Sequence, residues 1–305
     1  MKSFEDLGVC PWLISSLSSL SITSPTEIQN CCIPSILKGH DVIGSAKTGS
    51  GKTAAFALPI LQSLAADPFG VFSLVLTPTR ELAFQIAEQF RILGSGINLK
   101  LAVVVGGMDM MTQAIELAER PHIVIATPGR LVDHINSSAN AIHFKRIKFL
   151  VLDEADRMLD DNFANDLEVI LGTLPAKRQN LLFTATMTPE IESLQFSAAS
   201  KPHVFSTNQH YDTVDKLDQK YIFIPSAVRD TYLVHLIKTD FADKTMIIFT
   251  GKCKTAESLR LLFKELGIRS TALHSKMSQN DRLGSLAKFK SDIIKILIST
   301  DVGSR

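Results

Sequence analysis

Excess charge of either sign is missing. The chain has 32 lysines and arginines against 31 acidic residues, a net charge of +1. Bulk attraction to a polyanion is thereby excluded; nucleic-acid binding would need basic groups gathered into a groove. Cysteine is scarce too. The four, Cys10, Cys31, Cys32 and Cys253, show no C-x-x-C spacing and have no histidine cluster nearby. No zinc site is expected, and this usage fits a reducing compartment. Long hydrophobic runs are absent, none nearing the ~18 residues that a membrane span needs. The opening MKSFEDLGVCPW carries acidic residues where a signal peptide would be apolar. Low-complexity tracts and short repeats are lacking as well. These absences predict an intracellular soluble protein. What is present is a globular composition, 45% hydrophobic and 21% charged over 305 residues, long enough for two domains.

Short apolar runs recur, each followed by an amphipathic segment. DVIGSA (41–46), FSLVLTP (72–78), KLAVVVGG (100–107), HIVIATP (122–128), IKFLVLDEAD (147–156) and QNLLFTAT (179–186) form the series. They are rich in Val, Ile and Leu without polar alternation, as strands buried on both faces should be. Strand following helix following strand implies α/β architecture, a parallel sheet with right-handed crossovers. The pattern loosens over HVFSTNQHYDTVDKLDQK (203–220) and then restarts with QKYIFIP as a strand, a helix over AVRDTYLVHLIKTD, and further alternation to IKILIST. The expected division is a first domain over 1–205, a linker over 206–216 and a second domain over 217–305, with a cleft between two tandem sheets.

Chemistry begins at AKTGSGKT (46–53), which follows a strand and opens a helix. Gly49 and Gly51 let the backbone turn its N–H groups toward an anion, with a helix N-terminus behind them. Lys52 would reach the β- and γ-phosphates of a nucleotide and the Thr53 hydroxyl would hold Mg²⁺. The generic phosphate-loop pattern has glycine where this chain has Ala46. VLDEADRM (151–158) places two acids at a strand tip. Asp153 would hold Mg²⁺, partly through water, and Glu154 would orient or deprotonate an attacking water. By itself the DEAD string also suits a helix N-terminus with an acidic first turn. Together the two elements indicate an ATPase. PTRELA (78–83), Gly106–Gly107 and TPGR (127–130) each follow a strand. Their Thr, Arg and backbone N–H groups suit the phosphates of a polymer, although each alone is equally a turn.

The ordered set AKTGSGKT, PTRELA, GG, TPGR, DEAD and TAT (184–186) resembles the DEAD-box ATP-dependent RNA helicases. The resemblance spans essentially the whole chain and implies two tandem RecA-like domains, the second incomplete. SITSPTEIQ (21–29) resembles the adenine-reading Q motif, with Phe4 at the expected 17 residues upstream. By resemblance Gln29 would bond the adenine edge and Phe4 would pack on its face. Ala46, Lys47, Thr48, Gly49, Ser50, Gly51, Lys52, Thr53 and Asp153 would hold ATP and Mg²⁺, and Lys52, Asp153 and Glu154 would be catalytic. Pro78, Thr79, Arg80, Gly106, Gly107, Thr127, Pro128, Gly129, Arg130, Asp156, Thr184, Thr186, Gln279, Arg282 and Thr300 would bind RNA or couple it to ATP. The implied activity is RNA-stimulated ATP hydrolysis with local, non-processive unwinding. Implied partners are RNA held by its backbone, pre-rRNA particles and a regulatory protein, with no membrane and a monomeric state. DPFGVFSLVLTPTRELAFQIAEQFR, VVGGMDM and LAKFKS resemble the eukaryotic ribosome-biogenesis branch, which implies a nucleolar location.

Departures from the family pattern are few. Lys47 stands where glutamine is usual, Ser21 and Ile22 replace Gly-Phe, and Ser275 replaces glycine. Thr184 replaces a serine and keeps the hydroxyl that is expected to bond Asp156. ILISTDVGSR (296–305) enters motif V and stops before the family's later arginine element. Such arginines stabilise charge on a transferring phosphoryl group. The alternative expectation is therefore a nucleotide- and RNA-binding module without productive hydrolysis, with an exposed strand edge and apolar face in its second domain.

Overall fold

A computed structural model describes residues 2–137, 144–159, 161–188, 191, 201–206 and 218–300. The chain divides into two compact units, Met1–Asn208 and Gln209–Arg305. Of the expected linker, Ser206 closes a strand and 207–216 lie outside the described residues.

In the first unit the apolar runs become strands β1 (Val42–Ser45), β2 (Ser73–Leu76), β3 (Leu101–Val104), β4 (Ile123–Ala126), β5 (Phe149–Asp153) and β6 (Gln179–Thr184). With β7 (His203–Ser206) they form one seven-stranded sheet in the order β3-β4-β2-β5-β6-β1-β7, every pairing parallel. Helices α1 (Pro11–Ser19), α2 (Glu27–Leu37), α3 (Lys52–Ala66), α4 (Arg80–Leu93), α5 (Met110–Ala118), α6 (Pro128–Ser137), α7 (Ala155–Met158) and α8 (Asp161–Thr173) make the connections.

The absence of polar alternation has a direct cause. Val75, Ile125 and Val151 pack with α1–α4 on one face. Their neighbours Leu74, Val124 and Leu150 pack with α5, α6 and α8 on the other. A period-2 strand covered on both sides must be apolar at every position. Phe56 of α3 meets Phe183 of β6 at 5.2 Å and Phe90 of α4 at 6.1 Å, locking the first layer to the sheet. HVFS, read in sequence as the start of the polar stretch, is instead the edge strand β7 on β1. Its burial is slight, so it lacked the apolar pattern that marks a central strand.

The second unit holds α9 (Arg229–Lys238), β8 (Met246–Phe249), α10 (Cys253–Glu265), β9 (Ser270–Leu273), α11 (Gln279–Lys290) and β10 (Ile296–Ser299). Its sheet is parallel, in the order β8-β10-β9. Ile237, Leu259, Phe263 and Ile298 form its core. QKYIFIP is not a strand. No described strand takes its backbone groups, and Tyr221 and Phe223 are 95% and 97% exposed. Apolarity alone does not make a strand without a neighbour to pair with. The expected open edge and apolar face are present at β8, where Ile247 and Phe249 are exposed. No helix among the described residues is long and apolar enough to cross a membrane.

Candidate nucleotide and RNA site

Parallel strands bring their following loops to one edge of the sheet, so strand order decides which motifs meet. Strands β5, β6 and β1 are neighbours, which sets DEAD, TAT and the phosphate loop side by side. Strands β3, β4 and β2 are neighbours, which gathers GG, TPGR and PTRELA next to them.

The phosphate loop runs from Ala46 to the start of α3. Gly49 and Gly51 have φ of +80° and +89°, the left-handed region that glycine enters without a Cβ penalty. Ala46 N–H donates to Thr184 O (3.1 Å), so the loop begins as a continuation of the β1–β6 ladder. Lys52 Nζ donates to the carbonyls of Ala46 (2.6 Å) and Lys47 (3.4 Å). Lys47, Thr48 and Gly49 are exposed, while Ser50, Gly51 and Thr53 are half-buried. Gln29 is buried beneath this loop. Its Nε2 donates to Gly51 O (3.0 Å), and its Oε1 accepts from Thr26 N–H (3.0 Å) to complete the capping box of α2. Gln29 thus already grips the 46–53 loop. Phe4 is 3% exposed and sits in the apolar cluster with Ile28 and Ile33, so its ring is covered by the chain's own side chains.

Asp153 ends β5 and is 4% exposed. Burial drives its pKa from 3.8 up to about 6; Lys52 opposes the rise, and Glu154 and Asp156 add to it. Burial likewise lowers the pKa of Lys52, against the pull of Asp153, Asp156 and Glu154. These opposing effects place the ammonium and the acids in one electrostatic cluster. An acid that holds its proton at about 6 when folded and 3.8 when unfolded favours the folded state below pH 3.8 and loses that favour as pH rises through 6. At neutral pH the buried Asp153 charge therefore destabilises the folded protein. Asp153→Asn is expected to raise the melting temperature at pH 7.5, with the difference vanishing by pH 4. A variant no more stable than the parent at pH 7.5 would contradict the burial argument.

Glu154 adopts the left-handed region (φ 53°, ψ 51°), and its Oε2 accepts from Arg157 Nη1 at 3.1 Å. The sequence reading had no place for Arg157; the signal available was its i+3 spacing from Glu154. One expectation is corrected. The hydroxyl that bonds Asp156 is that of Thr186, at 2.6 Å, not that of Thr184. Thr184 is buried and its hydroxyl donates to Thr186 O (2.8 Å), so it shapes the turn that presents Thr186.

Across the other half of the edge, Thr79 caps α4, accepting from Leu82 N–H (3.4 Å), and Pro78 precedes it. Gly106 lies against Arg80: a Cβ there would come within 2.9 Å of the guanidinium. Gly107 is exposed with φ +79°. Thr127 and the buried Pro128 begin α6; Gly129 is exposed, and Arg130 Nε lies 3.8 Å from Asp133. Asp109, also unforeseen, caps α5 and feels Arg130, which lowers its pKa after the Thr112 bonds have done so. In the second unit Gln279 and Arg282 are buried and engaged in the first turns of α11, and the buried Thr300 follows β10. Residues 301–305 of motif V lie outside the described residues.

Residues 26–194 match the DEAD/DEAH box helicase family and residues 229–305 the helicase conserved C-terminal domain. The chain is 52% identical over 311 residues to the probable ATP-dependent RNA helicase DDX49 of Mus musculus, covering all of this chain and 65% of that protein. It is 51% identical over 314 residues to the ATP-dependent RNA helicase DBP8 of Debaryomyces hansenii, covering 99% of this chain and 71% of that one. Among solved structures, S. cerevisiae Dbp5 bound to RNA and ADP BeF3 superposes with a TM-score of 0.88 at 25% identity, over all of this chain and 77% of that one. A DEAD box protein from Methanococcus jannaschii gives 0.63 at 32% identity, over 99% and 81%. The chain spans 65% of the length of the mouse relative and 60% of a Dictyostelium discoideum one.

Proposed function

Because the chain belongs to the DEAD/DEAH box helicase family and folds as tandem RecA-like parallel-sheet units, we propose that it is the core of an ATP-dependent RNA helicase. The observation that carries this reading is the electrostatic cluster of Lys52 with Asp153, Glu154 and Asp156 at neighbouring strand ends. ATP would lie on the 46–53 loop, with Lys52 Nζ turning from the Ala46 and Lys47 carbonyls to the phosphates. Mg²⁺ fits the donors present. Asp153 is a buried carboxylate that a cation would relieve, and Thr53 stands at the start of α3. Bound there, the ion would neutralise charge on the β- and γ-phosphates. Glu154 would leave Arg157 to orient and deprotonate the attacking water. The Asp156–Thr186 bond would tie the acid strand to the TAT turn. Gln29 would define the adenine end, and Phe4, its ring covered by the chain's own side chains, would support that end from within the core rather than stack on the base.

RNA would lie along Thr79, Arg80, Gly106, Gly107, Thr127, Gly129 and Arg130, bound through phosphates and hence without sequence preference. Gln279, Arg282 and Thr300 would serve the second unit's share of that task. The stretches that resemble the ribosome-biogenesis branch support a role in pre-rRNA maturation and a nucleolar location. The test is ATP hydrolysis by this chain with and without single-stranded RNA. Turnover that rises with RNA is the expected result. Turnover indifferent to RNA would overturn the helicase reading, and nucleotide binding without hydrolysis would identify a binding module.

A further inference from the structure

A buried polar relay links two of the loops assigned to RNA, and no motif described above includes it. Gln113 in α5 is 3% exposed and His134 in α6 is 1% exposed. Gln113 Nε2 donates to Val105 O at 2.9 Å, on the residue directly before Gly106. That bond fixes the amide, so Gln113 Oε1 faces His134 Nε2 at 3.2 Å. The imidazole nitrogen must then be the donor, and His134 carries its proton on Nε2. Burial, then Arg130, lowers the His134 pKa, against Asp133, so the ring is neutral at physiological pH.

Each end of the relay sits behind a proposed RNA contact. Val105 holds the strand-to-loop junction at Gly106, and Gly106 lies against the Arg80 guanidinium. His134 lies one turn along α6 from Arg130, close enough to feel its charge. Two polar side chains buried in an apolar layer are tolerated when bonded, and these two bond each other and the Val105 carbonyl, which ties α5 and α6 to the end of β3.

We propose that Gln113 and His134 are positioning residues, a buried clamp that sets the GG loop against the TPGR helix so that Arg80 and Arg130 present one spacing to the RNA backbone. The proposal rests on the RNA-binding reading above. Neither residue touches RNA; both act through Val105 and α6.

The experiment measures binding of a fluorescent single-stranded oligouridylate, with a non-hydrolysable ATP analogue present, alongside nucleotide affinity and melting temperature. His134→Leu strands a buried acceptor and is expected to weaken RNA binding ~5–10-fold with nucleotide affinity unchanged. His134→Gln keeps a donor and is expected to restore most of it. The double variant Gln113→Leu/His134→Leu exchanges the stranded Gln113 oxygen for a stranded Val105 carbonyl and is expected to recover neither melting temperature nor RNA affinity. Recovery of both together would reduce the relay to a packing role and overturn the proposal, as would unchanged RNA affinity in His134→Leu. A parent chain that binds no RNA at all would instead overturn the functional reading beneath it.

Discussion

Glu154→Gln is expected to lower RNA-stimulated ATP turnover by about 10²–10⁴-fold, the range associated with loss of a general base. Nucleotide affinity should scarcely change. The substitution keeps the side chain's length and an oxygen that accepts from Arg157 Nη1, now at 3.1 Å from Oε2. It leaves Lys52 with the Asp153 charge that most favours its ammonium form. What it removes is a half-buried carboxylate, where Asp153 is buried and Asp156 is held by the Thr186 hydroxyl, and so one able to reach a water. Phosphate release under single turnover, set beside titration with a fluorescent ATP analogue, separates the two effects. Turnover equal to the parent's would mean that another group takes the proton.

Gly51→Ala is expected to weaken nucleotide binding by about 100-fold. Gly51 has φ +89°, where an alanine costs ~1–2 kcal/mol. A Cβ there would also run into the Gln29 amide, which is the group that holds Gly51 O. Displacing Gln29 breaks that bond and disturbs the capping box at the start of α2, adding about 1–2 kcal/mol. Gly49→Ala provides the contrast. Its φ is +80°, yet nothing lies within 4 Å of its added Cβ, so it should suffer the backbone cost alone. Equal affinities in the two variants would show that the Gln29–Gly51 bond plays no part in shaping the cradle.

The first unit was legible where burial is symmetrical. Strands β1 to β6 are apolar on both faces, and their one-dimensional pattern carries that fact. The order β3-β4-β2-β5-β6-β1-β7 was not legible, because it depends on which layers close over which strands far apart in the chain. Edge positions misled in both directions: HVFS is a strand with little burial, and QKYIFIP is apolar with no described strand to join. The 46–53 turn could be read because its backbone geometry, with positive φ at Gly49 and Gly51, demands particular residues at fixed spacing. Gln113 and His134 could not, since a polar residue inside an amphipathic helix declares neither its burial nor its partner. The exchange of Thr184 for Thr186 as the partner of Asp156 is likewise a matter of turn geometry that no string encodes.

Glu154 is the residue at which folding and the proposed chemistry disagree. Its φ of 53° is a conformation that glycine or asparagine would occupy at lower cost, the difference being of order 1–2 kcal/mol. Selection for a sturdier protein, whether in a laboratory library or by a redesign that scores fit to the backbone, would therefore replace it early. The product would outlast its parent on heating and, with the proposed base gone, is expected to lose about 10²–10⁴-fold in phosphate release. Any thermostabilisation campaign on this scaffold must hold position 154 fixed and recover its gains elsewhere.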